Sequence, residues 1–215
     1  MSNLDDGDAK TRTVGILVFD NVEVMDVMGP FEVFSVTRLD ETNRDFTESP
    51  FKVLLLSNDM KPIKAIGGLK LQPDYIFENS PSLDLFIVPG GRGTRTEVNN
   101  DKLIQKILNI SQKSFITATI CTGSSLLGKT GLLDGQFATT HWRTYGFLEK
   151  SAPKAKIEKK VLFTINQKIF TSAGVTSGIS LALYLVSYFY GLEVGKATAK
   201  FMEFPYPDHN INLNI

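Results

Sequence analysis

Four short apolar runs, three of them followed by a turn and then a helical stretch, constrain this chain most. They are residues 13–19 (TVGILVF), 51–56 (FKVLLL), 85–88 (LFIV) and 115–120 (FITATI). Near-continuous apolar runs of this length, rich in β-branched residues, read as strands buried on both faces. The first stops at Asp20-Asn21 and the third at Pro89-Gly90-Gly91. The fourth runs straight into Cys121-Thr122-Gly123. Residues 27–39 place Phe31, Phe34 and Leu39 at helical spacing, with Gly29-Pro30 expected to set the first turn. Residues 101–113 carry Leu103, Ile104, Ile107, Leu108 and Ile110, the pattern of an amphipathic helix. The Gly67-Gly68 pair within 63–72 predicts a hairpin or bend. Shorter strands are expected at 137–140, 161–165 and 168–171, an apolar helix at 177–190 and a more polar one at 192–203. Strands alternating with helices imply right-handed crossovers and a mostly parallel sheet covered on both faces.

The length of 215 residues fits one large α/β domain, expected over 13–204. Residues 1–12 are expected to be a disordered tail and 205–215 a C-terminal extension that packs on the body or on a partner. Lys plus Arg is 23 and Asp plus Glu is 23, so the chain is formally neutral and lacks the basic footprint of a nucleic-acid binder. One cysteine excludes an internal disulfide and a Cys-rich zinc site, and two distant histidines argue against a histidine-built metal site. The acidic start is the reverse of a secretory signal. The longest apolar stretch, 178–190, falls short of the roughly 18 residues of a membrane span. A cytoplasmic protein with no membrane partner is expected.

In open parallel sheets, ligands bind beyond the carboxyl ends of strands. A thiol at Cys121, between a strand and a helix start, has the position of a nucleophile on an elbow, where backbone N–H groups favour the thiolate. The competing reading is an inert buried cysteine. The glycines after residue 88 can bring backbone N–H groups to a developing oxyanion, or form an ordinary loop. No Gly-x-Gly-x-x-Gly follows the first strand, and Gly128-Lys129-Thr130 lacks the upstream glycine of a phosphate loop. At the first strand end stand Asp20, Glu23 and Asp26. Asp26, flanked by apolar residues, is either a helix cap over Gly29-Pro30 or a buried functional acid. Glu32 is expected on a helix surface or against a partner chain.

These residues together carry a resemblance. Gly15-Ile16-Leu17-Val18-Phe19, Val24-Met25-Asp26, Gly29-Pro30-Phe31-Glu32-Val33-Phe34, Val88-Pro89-Gly90-Gly91, Cys121-Thr122-Gly123-Ser124, Leu126-Leu127-Gly128, Gly131-Leu132-Leu133, Ala138-Thr139-Thr140-His141-Trp142 and Ser172-Ala173-Gly174-Val175-Thr176-Ser177-Gly178 follow one another in order. Over about 14–204 the chain resembles the ThiJ/PfpI superfamily, in its isocyanide hydratase-like branch. The 138–142 segment is also similar to N-terminal domains of certain AraC-type regulators.

The resemblance implies a flavodoxin-like three-layer α/β sandwich of the class I glutamine amidotransferase-like type. It implies Cys121 as nucleophile, Asp26 as the acid contacting its sulfur, and Gly91 and Thr122 as backbone oxyanion donors. Gly90, Gly174, Val175 and His141 are candidates for the substrate pocket, with no metal and no cofactor. Protease-like and glyoxalase-like members commonly follow the cysteine with histidine, where this chain has Thr122. His141 reaches the site through the fold or serves structure or an interface. A homodimer is implied, with 22–34 as a contact surface. The implied reaction adds water to a small-molecule isocyanide to give an N-formamide, through attack by a Cys121 thiolate and proton relay by Asp26. The rivals are deglycase, amidase or peptidase chemistry, and a non-enzymatic redox-sensing or ligand-binding domain like those of the regulators. The sequence ends at Ile215, so no DNA-binding domain of the regulator type is expected. Two further expectations are a Cys121 that is largely thiolate at neutral pH and a strained backbone at the elbow.

Overall fold

The computed structural model describes residues 10–207 and 211–214. In chain order the elements are β1 (Arg12–Leu17), α1 (Val24–Val36), β2 (Phe51–Ser57), β3 (Ile63–Lys64), β4 (Lys70–Leu71), β5 (Tyr75–Ile76), β6 (Leu85–Val88), α2 (Thr94–Glu97), α3 (Asp101–Lys113), β7 (Ile116–Ile120), α4 (Gly123–Lys129), β8 (Phe137–Ala138), α5 (Tyr145–Ser151), β9 (Lys156–Ile157), β10 (Phe163–Asn166), β11 (Ile169–Ser172), α6 (Ser177–Tyr190), α7 (Leu192–Phe201) and β12 (Ile211–Asn214).

The main sheet has eight strands in the order β12-β10-β11-β7-β6-β1-β2-β5. Every pairing in it is parallel except β10 with β11. The four apolar runs form its centre, and β6 and β7 are buried at every residue. Burial on both faces is why they carry no alternation. On one face α1 packs on α6 and α6 on α7; on the other α3, α4 and α5 pack in series. The fold is a flavodoxin-like three-layer sandwich. Side chains such as Ile16, Phe34, Phe86, Ile87, Ile107, Leu127, Phe163 and Phe170 fill its core.

Several expectations shift. The hairpin over 63–72 forms as β3 and β4, with Gly67 and Gly68 at φ of 79° and 91°. Helix α1 starts three residues earlier than its spacing suggested, so Gly29-Pro30 lies inside it rather than in its first turn. Proline lacks the N–H that would bond back to the Asp26 carbonyl. Tail residues 1–9 lie outside the described residues, but Arg12 is not tail. Its amide bonds Pro50 O at 2.8 Å and its guanidinium bonds Asp84 at 3.0 Å, which starts β1 there. Within the C-terminal extension, 211–214 adds an edge strand parallel to β10, a pairing no local pattern announced. Of the expected contact surface 22–34, Val22, Val27, Val33 and Phe34 are buried within the chain itself. Val24, Met25, Met28 and Phe31 are half-buried and pack against the core.

Candidate active site

The carboxyl ends of β1, β6 and β7 lie side by side, because these strands are sheet neighbours. Each contributes one part of the site. Strand β7 ends at Ile120, and Cys121 follows with φ of 55° before α4 begins at Gly123. A non-glycine residue at positive φ costs of order 1–3 kcal/mol and persists only where its surroundings over-determine it. Here they do. The Cys121 amide donates to Ser172 O and Ala173 O, at 3.2 and 3.1 Å. Its carbonyl accepts from Thr140 Oγ1 at 2.8 Å and Ser124 Oγ at 2.9 Å. The elbow is strained as expected, and Val175, at φ of 56°, is strained beside it.

Asp26 is completely buried in the first turn of α1. It is not a cap: the N-cap residue is Glu23, and Asp26 Oδ2 instead accepts the Gly90 amide at 2.9 Å. The Glu23 amide returns a bond to Gly90 O at 2.9 Å, so the β1 and β6 loops interlock. Asp26 Oδ1 makes no bond of standard geometry, although the Val175 amide and the Cys121 sulfhydryl both lie beside the carboxyl. Gly91 takes φ of 127°, where a Cβ would strike the backbone of Asn21, Val22 and Glu23.

Burial governs the electrostatics. It raises the Asp26 carboxyl from 3.8 to about 7, against the pull of the Gly90 amide, with the Glu23 charge adding to the rise. It raises the Cys121 thiol to about 12, and the charge of Asp26 adds to that, while the Thr122 amide and hydroxyl favour the thiolate. Burial and the Asp26 charge both oppose ionisation of the sulfur, against the thiolate expected from the elbow position, which the Thr122 donors favour.

A cavity of about 530 Å³ opens over the sulfur, lined by Cys121, Gly91, Thr122, His141 and Val175. Gly90 and Gly174 stand behind this wall. Gly90 holds Asp26, and Gly174 packs so closely on the His141 ring that no Cβ fits. The Gly91 amide is engaged by Thr122 Oγ1 at 3.0 Å. His141 Nδ1 accepts the Arg143 amide at 3.3 Å, and burial, then the Arg143 charge, lowers its pKa. A ring that accepts at Nδ1 carries its proton on Nε2. The cavity also takes Glu23, Ile66, Arg92, Arg95, Arg143 and Thr144. Sequence reading passed over the three arginines, which come from two separate segments and match no motif. Among the described residues no group of three or more His, Cys, Asp or Glu comes together as a metal site.

The molecule is a flavodoxin-like α/β protein that carries a cysteine on a strained strand-to-helix elbow with a buried carboxyl beside it. The DJ-1/PfpI family model matches residues 12–188, and the chain belongs to that family. It is 30% identical to isonitrile hydratase of Pseudomonas putida, over 89% of this chain and 78% of that protein. It is 28% identical to the HTH-type transcriptional regulator GbdR of Pseudomonas aeruginosa, over 88% of this chain but only 50% of the regulator. Among solved structures, a ThiJ/PfpI family protein from Pseudomonas syringae superposes with a TM-score of 0.78 at 24% identity, covering 93% of this chain and 78% of that one. Drosophila melanogaster DJ-1beta superposes with a TM-score of 0.75 at 18% identity, covering 91% and 100%.

Proposed function

We propose that the protein is a cysteine-dependent isocyanide hydratase, converting R–NC and water to R–NH–CHO. The observation that carries this reading is the buried Asp26 carboxyl beside the Cys121 sulfhydryl, raised to about 7 and therefore able to hold or release one proton near neutrality. The similarity to isonitrile hydratase supports it.

Starting from the thiol, Asp26 accepts its proton as sulfur attacks. The S–C bond forms at the isocyanide carbon, and Asp26 returns the proton to that same carbon. The product is a thioimidate, R–N=CH–S–Cys121. Water then adds to the thioimidate carbon, with Asp26 taking a proton from it. Asp26 passes that proton to the nitrogen, the C–S bond breaks as the new hydroxyl gives up its own proton to the departing sulfur, the formamide leaves and the thiol is restored. Protein donors around the cavity hold charge as it develops. The Thr122 amide already faces the sulfur. The Gly91 amide joins it only if substrate displaces the Thr122 hydroxyl.

The test is turnover of a simple alkyl isocyanide, with the N-formamide as measured product and methylglyoxal as comparison. Formamide production that is lost in Cys121→Ala supports the hydratase. Lactate from methylglyoxal without formamide supports deglycase-like chemistry. Binding without turnover supports a ligand-binding domain, a reading favoured by the GbdR similarity over the same part of the chain. We place the protein in the cytoplasm as a homodimer. No helix among the described residues is long and apolar enough to cross a membrane.

A further inference from the structure

Three arginines line the cavity that holds Cys121. Arg92 and Arg95 come from the loop after β6 and from α2. Arg143 comes from the 3-10 turn Trp142–Thr144 across the opening. Among the described residues none of the three makes a salt bridge, although seven other pairs form. Exposed arginines are ordinarily just solvated, but these converge on one concave space from two segments. Two of them are also supported without being neutralised. The Arg95 guanidinium lies 5.1 Å from the Phe147 ring centre, and that of Arg143 lies 5.5 Å from the Trp142 ring centre. Stacking of this kind limits the motion of a guanidinium while leaving its charge intact.

Against the three positive charges stand Glu23 at the cavity wall and Asp26 behind it, the latter half-titrated near neutrality. The field at the mouth is positive.

We infer that the cavity is built for a substrate carrying a carboxylate, whose reacting end is directed at Cys121 while the arginines hold the anionic end. The guanidinium fork matches a carboxylate in a bidentate pair. A phosphate is the poorer fit, because the backbone amides that would cradle it are taken: Gly90 N–H by Asp26 and Gly91 N–H by Thr122. The cavity volume of about 530 Å³ admits a small carboxylic acid with room to spare. On the hydratase reading proposed above, the substrate class is an isocyano-carboxylate. The anion site itself rests only on the cavity and its charges.

The experiment therefore has two arms. The first uses Cys121 as its own reporter, since the chain has a single cysteine. Iodoacetate and iodoacetamide are nearly isosteric, and both alkylate the thiolate with loss of iodide. The ratio of their rates cancels the thiolate fraction and the access to the sulfur, leaving the effect of charge. Relative to free cysteine, the ratio should rise about tenfold or more in favour of iodoacetate and fall with added salt. It should drop back in the triple variant Arg92→Gln, Arg95→Gln, Arg143→Gln, and part of the way in each single variant. A ratio equal to that of free cysteine, or one unmoved by the single and triple variants, overturns the inference. The second arm compares kcat/KM for 3-isocyanopropanoate with that for an uncharged isocyanide of the same chain length. A preference for the carboxylate that the arginine variants erase supports the substrate class. Turnover of both without preference overturns it and leaves the hydratase standing. Turnover of neither removes the hydratase, while the alkylation ratio still decides the anion site.

Discussion

The Thr122 hydroxyl accepts the Gly91 amide at 3.0 Å, so two residues that resemblance names as oxyanion donors are bonded to each other. The same oxygen meets Thr94 Oγ1 at 3.0 Å. Thr122 thereby ties the glycine loop after β6 to the elbow after β7.

Removing that tie has a measurable cost. Thr122→Val keeps the shape but leaves the Gly91 N–H without its partner and deprives Thr94 of one of its two. An unsatisfied buried donor costs about 1–3 kcal/mol; the Gly91 bond is part-buried, so the variant should melt earlier by no more than the low end of that range. Thr122→Ser keeps the acceptor and should melt near wild type. Equal melting of the Val and Ser variants would show that the tie contributes nothing.

Gly90 is a point of close approach between the two loops. A Cβ there would sit 2.5 Å from Thr122 N and 2.9 Å from Asp26 Oδ2. Gly90→Ala must therefore push the elbow and the carboxyl apart. Turnover should fall at least as far as in Asp26→Asn, and thermal stability should fall too. An alanine variant with wild-type activity would mean that the loops are looser than this contact allows.

Much of this arrangement was legible in the sequence. The four apolar strands, the amphipathic helix over 101–113 and Cys121 at a strand-to-helix turn all follow from local pattern, because burial on two faces and helical spacing leave direct traces. Asp26 was legible only as a choice. Its neighbours show that it is buried, but whether it caps the helix depends on where α1 begins, and that is set by the bond from Glu23 N to Gly90 O. The arginines of the cavity left no trace, since 92, 95 and 143 meet only through the fold. The protonation of the sulfur is not legible for a similar reason. Helix position is visible in the sequence, whereas the depth of burial that opposes ionisation is not.

The titration of Cys121 tests which of these opposing effects wins. With the thiol raised to about 12 by burial and by Asp26, alkylation by iodoacetamide near neutrality should be far slower than that of free cysteine and should climb steadily with pH. Asp26→Asn removes the like charge, so it should speed alkylation in the range where Asp26 is ionised, above about 7. Fast alkylation at neutral pH that is lost in the Asn variant would instead put the shared proton on Asp26 and the charge on sulfur.

Oligomeric state is checked more simply. The half-buried stripe of Val24, Met25, Met28 and Phe31 on α1 lies next to the helix turn that carries Asp26. If a second copy covers it, light scattering should give twice the chain mass of 23.8 kDa. Met28→Glu should then shift the protein toward monomer, because burying an unpaired carboxylate in an apolar contact is costly. A wild-type monomer at micromolar concentration would remove the dimer.

Asp26→Asn separates catalysis from structure. Asparagine can still accept the Gly90 amide, so the loop contact survives, but the titrating proton is gone. Turnover should fall by roughly 10² to 10⁴-fold if Asp26 relays the proton. Stability should move the other way. Asp26 has its ordinary 3.8 when unfolded and about 7 when folded, so between those values the folded chain binds more protons than the unfolded one. Its contribution to stability is therefore complete below 3.8 and is lost as pH rises through about 7, a change on the order of 4 kcal/mol. The Asn variant has no such proton to lose. Its melting temperature should gain on that of wild type as pH rises across this window, even as activity collapses. A variant that stays active, or whose melting temperature runs parallel to wild type at every pH, would leave Asp26 neither a proton relay nor a strained buried acid.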